Sequence, residues 1–286
     1  MVLAAAMATA TPAYAHHEAM FGPQSSAVLS PGIFLSALVF DKETGRDDTN
    51  KRRETTTVYS VGFKPVKTQP LSMAFVVPMT FAGGAADPNA PGAKARGFED
   101  MLISARYRID APGAAKLFGV DESYVMGVGG VELPTGTFDH DFGKGAFGEI
   151  AAGLWSLEKR PFATIAYVYY HHRGVYEGVR DSGNTFAGGG LAYTPIDDEE
   201  HGKLFSLQLG LSYERMFQSE DNGLIVADSG ASGVFIHPGV VFDIGPTVQM
   251  FGLVSLPLTQ TYNSIVDRQR FRFGTGIIWI LKHSGK

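Results

Sequence analysis

Hydrophobic and polar residues alternate along parts of this chain for longer than they do in most soluble strands. From Phe205 to Tyr213, phenylalanine, leucine or tyrosine stands at every odd position, and serine, glutamine or glycine at every even one. Strands of soluble proteins are typically about 5–6 residues long, whereas a strand that crosses a bilayer needs roughly 9–11. One apolar face and one polar face suit a wall between lipid and water.

Two further alternating segments, residues 98–110 and 269–281, indicate which face points inwards. Their polar positions carry four arginines: Arg106, Arg108, Arg270 and Arg272. Arginine on the lipid face costs about 2–4 kcal/mol at the bilayer midplane, so we expect these four side chains to face the lumen of a barrel. The expected partners are the acidic residues that we assign to the polar faces of their strands, namely Asp100, Glu132, Glu149 and Glu214.

The chain contains about twelve such segments, separated by turns rich in glycine, proline and charged residues. They cover residues 32–40, 54–64, 70–81, 98–110, 123–133, 146–157, 161–172, 184–194, 204–217, 233–244, 247–258 and 269–281. Most connections after odd-numbered strands are long, and several after even-numbered strands are tight, as in outer-membrane barrels. The predicted fold class is therefore all-β, a transmembrane antiparallel up-and-down β-barrel over residues 32–281 in the bacterial outer membrane.

Composition removes several other classes of protein. No stretch of the mature region approaches about 18 uncharged apolar residues, the length that a membrane-spanning helix requires. The net charge of −5 argues against nucleic acid as a partner, and the absence of cysteine excludes disulfides and thiolate metal sites. The sequence has no G-x-S-x-G motif and no phosphate-binding loop. We therefore expect no catalytic residues and no enzymatic activity, with an outer-membrane enzyme as one alternative.

The two ends of the chain differ from the alternating region. Residues 1–15 are small and apolar and end in Ala13-Tyr14-Ala15, the pattern of a secretory signal peptide. We expect residues 16–31 to form a periplasmic segment able to enter the lumen, and residues 282–286 to form a short tail. In that first segment His16, His17 and Met20 combine ligands that suit copper. A periplasm-facing copper-binding accessory is thus the second alternative.

One strand carries aromatic residues on both faces. Tyr167, Tyr169 and Tyr170 precede His171 and His172 within residues 161–172. Neighbouring strand residues point to opposite faces, so the two histidines are poorly placed to share one metal ion. We expect the tyrosines to belong to an interfacial aromatic girdle.

Two segments resemble a known family. GFEDMLISARYRI and GVGGVELPTGTF…GKGAFGEIAAGLWS, within residues 97–155, resemble the MetA-pathway-of-phenol-degradation outer-membrane proteins. That resemblance implies a barrel that passes small organic, often aromatic, compounds. We therefore expect an outer-membrane channel for diffusion or facilitated uptake of small hydrophobic or aromatic molecules, with lipid and solute as partners. The eight charged residues either set the selectivity of the lumen or form a salt-bridged network that fills it.

Overall fold

The computed structural model describes residues 32–45, 51–63, 71–84, 95–137, 143, 145–198, 203–227, 229–245, 247–262 and 269–282. Most of these residues lie in long strands. In chain order the long strands are β1 (Gly32–Gly45), β2 (Lys51–Phe63), β3 (Leu71–Gly84), β4 (Met101–Asp110), β5 (Glu122–Leu133), β6 (Gly148–Lys159), β7 (Phe162–Arg173), β8 (Asn184–Asp198), β9 (Lys203–Met216), β10 (Ala231–Asp243), β11 (Val248–Tyr262) and β12 (Gln269–Lys282).

These strands pair antiparallel in one closed ring. Each strand from β2 to β11 pairs with the strands that precede and follow it in this order. The first and last strands then pair with each other, from Gly32 opposite Lys282 to Thr44 opposite Gln269. Because every strand has two neighbours, the described wall has no free sheet edge, as a barrel in lipid requires. The predicted all-β barrel fold is confirmed.

The two faces of the wall differ in exposure as the alternation predicted. On β9, Leu207, Leu209 and Leu211 point outwards and are each about half exposed, whereas Ser206 and Gln208 point inwards and are buried. Arg106 on β4 is also on the inner face and is 2% exposed. The outer face is therefore the apolar surface that lipid would cover.

A large apolar core fills part of the barrel interior, which the sequence did not predict. One contiguous cluster of buried side chains, called the enclosed core below, draws members from every strand from β2 to β12. It consists of Val58, Val76, Leu102, Tyr124, Met126, Val128, Ile150, Leu154, Ile165, Tyr167, Tyr169, Phe186, Leu204, Val241, Phe251, Leu253 and Ile278. Buried polar side chains such as Ser206, Gln208 and Arg106 share the inner face with this core, so the interior has both apolar and polar regions.

Two of the tyrosines assigned to an aromatic girdle lie in this core. Tyr167 and Tyr169 are 8% and 1% exposed, and only Tyr170 is on the outer face. Tyr169 stacks on Phe186 of β8 with 4.9 Å between ring centroids. The girdle prediction is wrong for Tyr167 and Tyr169. Both faces of β7 carry apolar side chains, so its sequence does not show which face points into the barrel.

A short helix, α1 (Pro112–Phe118), replaces the simple connection expected between β4 and β5. Pro112 stands in its first turn, and Gly119 ends it in the left-handed conformation with φ of 63°. In the described part of the chain, no helix has the length and apolar character needed to cross a membrane.

The loops that follow β7 and β9 meet outside the barrel. Four short strands, Val175–Tyr176, Val179–Arg180, Glu220–Asp221 and Leu224–Ile225, form a separate small sheet. An ion pair between Arg180 Nη1 and Glu220 Oε1, 2.9 Å apart, joins the two loops. These loops therefore form one unit beyond the end of the wall.

Candidate functional site

The described inner face carries several polar clusters beside the enclosed core. In the first, Arg272 of β12 donates hydrogen bonds to both carboxylate oxygens of Glu214 on β9, with 3.0 Å from Nη1 to Oε1. The guanidinium also lies 4.4 Å from the ring centroid of Phe235 on β10. The two charged side chains are about one-fifth exposed. Since β10 and β11 separate β9 from β12, this ion pair ties together strands that are not neighbours.

A histidine extends this cluster across the same strands. His237 of β10 lies 2.7 Å from Ser212 Oγ through Nε2 and 2.8 Å from Ser255 Oγ through Nδ1. Ser212 in turn donates a hydrogen bond to Glu214 at 3.2 Å. Arg272 Nε donates to the side chain of Gln269 at 2.6 Å. These residues form one connected group, called the β9–β12 cluster below: Ser212, Glu214, Phe235, His237, Ser255, Gln269 and Arg272.

The second cluster lies near the end of β5. Glu132 Oε2 is 2.9 Å from His171 Nε2, and the two side chains are 1% and 0% exposed. Arg173 Nε lies 3.7 Å from the same carboxylate oxygen. Gly148 on β6 makes room for this contact, since a Cβ there would lie 2.6 Å from Glu132 Oε2. The strand pattern selected Glu132 but did not associate it with His171.

A third group surrounds two consecutive buried acids. Asp100 Oδ1 accepts a hydrogen bond from the backbone N–H of Gly136 at 2.7 Å, and Glu99 accepts one from Thr80. Thr80 also contacts Thr56 at 2.7 Å between hydroxyl oxygens. Both acids are buried, and they lie in the link between a short strand, Ala95–Phe98, and β4. In a regular strand two consecutive residues would point to opposite faces.

The reason is an extra residue in the chain before β4. Val76 of β3 pairs with Leu102, and Met79 of β3 pairs with Phe98. The two residues on β3 are three positions apart, whereas their partners are four positions apart. Such a bulge re-aims side chains, so Glu99 joins Asp100 inside. A pattern of strict alternation could not find Glu99.

The arginines of β4 bind partners that the sequence analysis did not select. Arg106 Nε donates to Ser72 Oγ at 2.7 Å. Arg108 Nε donates to Asp110 at 2.7 Å, and its Nη2 contacts Glu122. Its guanidinium lies 4.0 Å from the ring centroid of Tyr124. The contacts of Arg108 therefore form a further polar cluster, at the end of the barrel opposite to Glu132.

One predicted lumen residue lies elsewhere, and another lies near the end of the wall. Glu149 is exposed and points outwards, because its neighbours Gly148 and Ile150 occupy the inner face of β6. Arg270 is about one-third exposed near the end of the wall, with Nη1 3.9 Å from Glu43 Oε1. The placement of Glu149 corrects the sequence prediction.

The copper prediction concerns a part of the chain that is not described. His16, His17 and Met20 lie outside the described residues, as do the rest of residues 1–31 and residues 283–286. Within the described ranges, no group of three or more histidine, aspartate or glutamate side chains could hold a metal ion. Copper binding by the N-terminal segment stays a prediction.

Comparisons with known proteins give a fold but no family. No protein-family model matches the sequence, and no curated protein matches it either. An outer membrane channel from Pseudomonas putida F1 is similar in structure, with a TM-score of 0.67 and 13% identity over 88% of this chain and 96% of that one. The β domain of the Bordetella autotransporter BrkA has a TM-score of 0.53 and 13% identity over 87% of this chain and 100% of that one.

The resemblance to the phenol-degradation family is not confirmed by these comparisons. At such low identity, structural similarity shows the fold alone. Both neighbours are similar in fold to this chain over most of its length. The chain has the fold of a bacterial outer-membrane β-barrel.

Proposed function

We propose that this protein is an outer-membrane channel for small hydrophobic or aromatic molecules. The observation that carries the proposal is the enclosed core, to which every strand from β2 to β12 contributes. A polar solute or an ion must lose its hydration to cross such a region, which costs several kcal/mol. An apolar solute instead gains about 25 cal/mol for each Å² that leaves water. The core therefore favours apolar solutes.

The polar clusters support the same selectivity. Glu214 is paired with Arg272, and Glu132 lies beside His171 and Arg173. Charges that are neutralised within the wall present a weaker net field to ions than a ring of like charges would. We infer that these clusters hold the wall in shape around the core and line the route on either side of it.

The outer surface and the fold support a place in the outer membrane. Outward side chains such as Leu209, Trp155 and Trp279 are between 37% and 50% exposed, as expected for a wall whose outer face lies in lipid. The similar Pseudomonas putida structure is an outer membrane channel. Lipid on the outside and a small solute on the inside are the partners that we propose.

Uptake measurements in a Gram-negative host test this function. The host expresses the full chain, and the fluorescence of N-phenylnaphthylamine, a neutral aromatic probe, reports its passage. We expect uptake several-fold above that of cells with an empty vector. Liposome swelling with the purified protein and arabinose should show slow sugar flux. Fast sugar flux together with probe uptake at the empty-vector rate would contradict the proposal.

Isosteric substitutions test whether the enclosed core carries the solute. Val58 and Val241 are fully buried in the core, and replacing both with threonine keeps the branched shape of the side chains but buries two hydroxyls, each of which costs about 1–3 kcal/mol if it stays unpaired. The matched control is Val168→Thr, because Val168 is 53% exposed on the outer face of β7. We expect slower probe uptake for the inner pair and no change for the control. Equal uptake by both folded variants would count against a route through the core.

A further inference from the structure

Glu132 is a buried acid whose hydrogen bonds, within the described part of the chain, are incomplete. Its Oε2 lies 2.9 Å from His171 Nε2, whereas Oε1 is buried and has no hydrogen-bond partner there. Arg173 does not supply one, because its Nε lies 3.7 Å from Oε2 and its Nη1 lies 3.8 Å from Asp181. Both distances are too long for a hydrogen bond.

The acid of the β9–β12 cluster shows the contrast. Glu214 accepts hydrogen bonds from Arg272 at both carboxylate oxygens, although its side chain is about one-fifth exposed. Glu132 is 1% exposed and is hydrogen-bonded at one oxygen. A carboxylate that only holds a wall together is expected to be saturated in the way that Glu214 is, because a buried acceptor without a donor lowers stability. Glu132 Oε1 is therefore placed to accept from a molecule inside the barrel.

Two further acceptors lie on neighbouring strands. His171 Nδ1 and Asn184 Oδ1 are also buried and without a hydrogen-bond partner among the described residues. The carboxylate of Glu132 can only accept, so Nε2 of His171 carries the proton between them, and Nδ1 of the neutral ring is then an acceptor. His171 pairs with Asn184 across β7 and β8. Their side chains therefore stand next to each other on the inner face.

A glycine lets Glu132 reach the same place. Glu132 pairs with Gly148 on β6, and Gly148 pairs with Arg173 on β7. Because a Cβ at Gly148 would lie 2.6 Å from Glu132 Oε2 and 3.1 Å from His171 Nε2, only glycine lets the carboxylate extend over β6 to β7. The resulting group, called the acceptor patch below, consists of Glu132, Gly148, His171, Arg173 and Asn184.

The acceptor patch borders the enclosed core. Tyr169 lies two residues along β7 from His171, and Phe186 lies two residues along β8 from Asn184; both are members of that core. Their rings stack with 4.9 Å between centroids and 12° between planes. Two residues of a strand span about 7 Å, roughly the length of a small aromatic molecule. A solute that displaces core side chains as it passes thus meets aromatic surfaces and acceptors together.

We propose that the acceptor patch binds the amino group of a neutral aromatic amine, while the ring of the solute packs against Tyr169 and Phe186. This inference rests on the proposed function and names its substrate class. A primary aromatic amine offers two N–H donors, and delocalisation of its lone pair into the ring keeps it uncharged near neutral pH. It therefore satisfies the acceptors without bringing a charge into the apolar core. A carboxylate on the solute would instead add acceptors and be repelled by Glu132.

Binding of two ligands of similar size tests the patch. The first, 1-naphthylamine, carries the donors, and the second, 1-methylnaphthalene, lacks them. Equilibrium dialysis measures each on the purified full chain in detergent, with protein-free micelles as the blank. We expect the parent to bind 1-naphthylamine at least tenfold more tightly than 1-methylnaphthalene. Equal affinity of the parent for the two ligands would overturn the proposal.

Two substitutions locate the partners of the amine. Glu132→Gln removes the carboxylate, and Asn184→Ala removes an oxygen that has no hydrogen-bond partner in the described structure, so this second variant should fold as the parent does. We expect each to weaken binding of 1-naphthylamine at least threefold and to leave that of 1-methylnaphthalene unchanged. The matched control is Glu149→Gln, the same change of charge on the exposed outer face of β6, which should alter neither affinity.

The two ligands separate a lost contact from a damaged core. An unchanged preference for 1-naphthylamine in Asn184→Ala and in folded Glu132→Gln would contradict the proposal, because the amine would then bind elsewhere. Equal weakening of both ligands would contradict it as well, since the substitutions would then have altered the core and not the donor contacts.

Failure of the proposed function gives a different result. In that case the parent takes up N-phenylnaphthylamine no faster than cells with an empty vector. A parent that carries this probe but binds 1-naphthylamine and 1-methylnaphthalene equally well remains a channel and loses only the preference for amines.

Discussion

Removing the charge of Glu214 should destabilise the barrel through its partner. The change Glu214→Gln keeps the shape of the side chain but leaves the guanidinium of Arg272 without its counter-ion. Both side chains are about one-fifth exposed. Two opposite charges about 4 Å apart attract each other by about 4 kcal/mol at an effective dielectric constant near 20. Breaking a buried pair by removing one partner typically costs about 3–5 kcal/mol. Allowing for the partial exposure, we expect a loss of about 3 kcal/mol in the free energy of unfolding.

A double-mutant cycle isolates the pair from other effects of the substitutions. The cycle combines Glu214→Gln with Arg272→Met, and we expect the double variant to recover about 2 kcal/mol relative to the sum of the single ones. The measurement is urea unfolding of barrels folded in lipid vesicles, followed by tryptophan fluorescence. Trp155 and Trp279 are the two tryptophans of the chain, and both lie on the outer face.

The exposed ion pair between the loops is the matched control. The side chains of Arg180 and Glu220 are 36% and 31% exposed, so their coupling should not exceed about 1 kcal/mol and should fall with added salt. A coupling below about 0.5 kcal/mol for Glu214 and Arg272, or one no larger than that of the control, would refute the reasoning. It would mean that the cluster is solvated and contributes little to the wall.

Three further substitutions have distinct expected outcomes. Phe251→Ala should lower the free energy of unfolding by about 3–5 kcal/mol and raise single-channel conductance, because Phe251 is 1% exposed in the enclosed core. The control Phe75→Ala should leave conductance unchanged, because Phe75 is 50% exposed on the outer face. Gly188→Ala should lower the free energy of unfolding in vesicles, since its Cβ would lie 2.5 Å from a backbone oxygen, whereas Gly129→Ala, with no atom within 4 Å, should behave as the parent. If the N-terminal segment binds copper, His16→Ala should weaken Cu(II) binding at least tenfold by calorimetry, and unchanged affinity would end that prediction.

The alternation of apolar and polar residues predicted about twelve strands, their approximate limits and, where the alternation is clear, their inner face. Residues 204–217 were predicted as a strand, and β9 covers Lys203–Met216. Arg106 and Arg272 lie on the predicted inner face. These features are local, because a strand between lipid and an interior must place residues of one character at every second position.

The contacts between residues of different strands follow from the folded barrel and not from the pattern within any one strand. Partners such as Glu214 with Arg272, or Glu132 with His171, depend on register and curvature, which alternation within one strand does not contain. The bulge that buries Glu99 shifts the alternation of inward and outward positions by one residue. Both faces of β7 are apolar, so its sequence does not indicate which face points into the barrel. The enclosed core exists only once the ring has closed, because side chains from eleven strands must meet to form it.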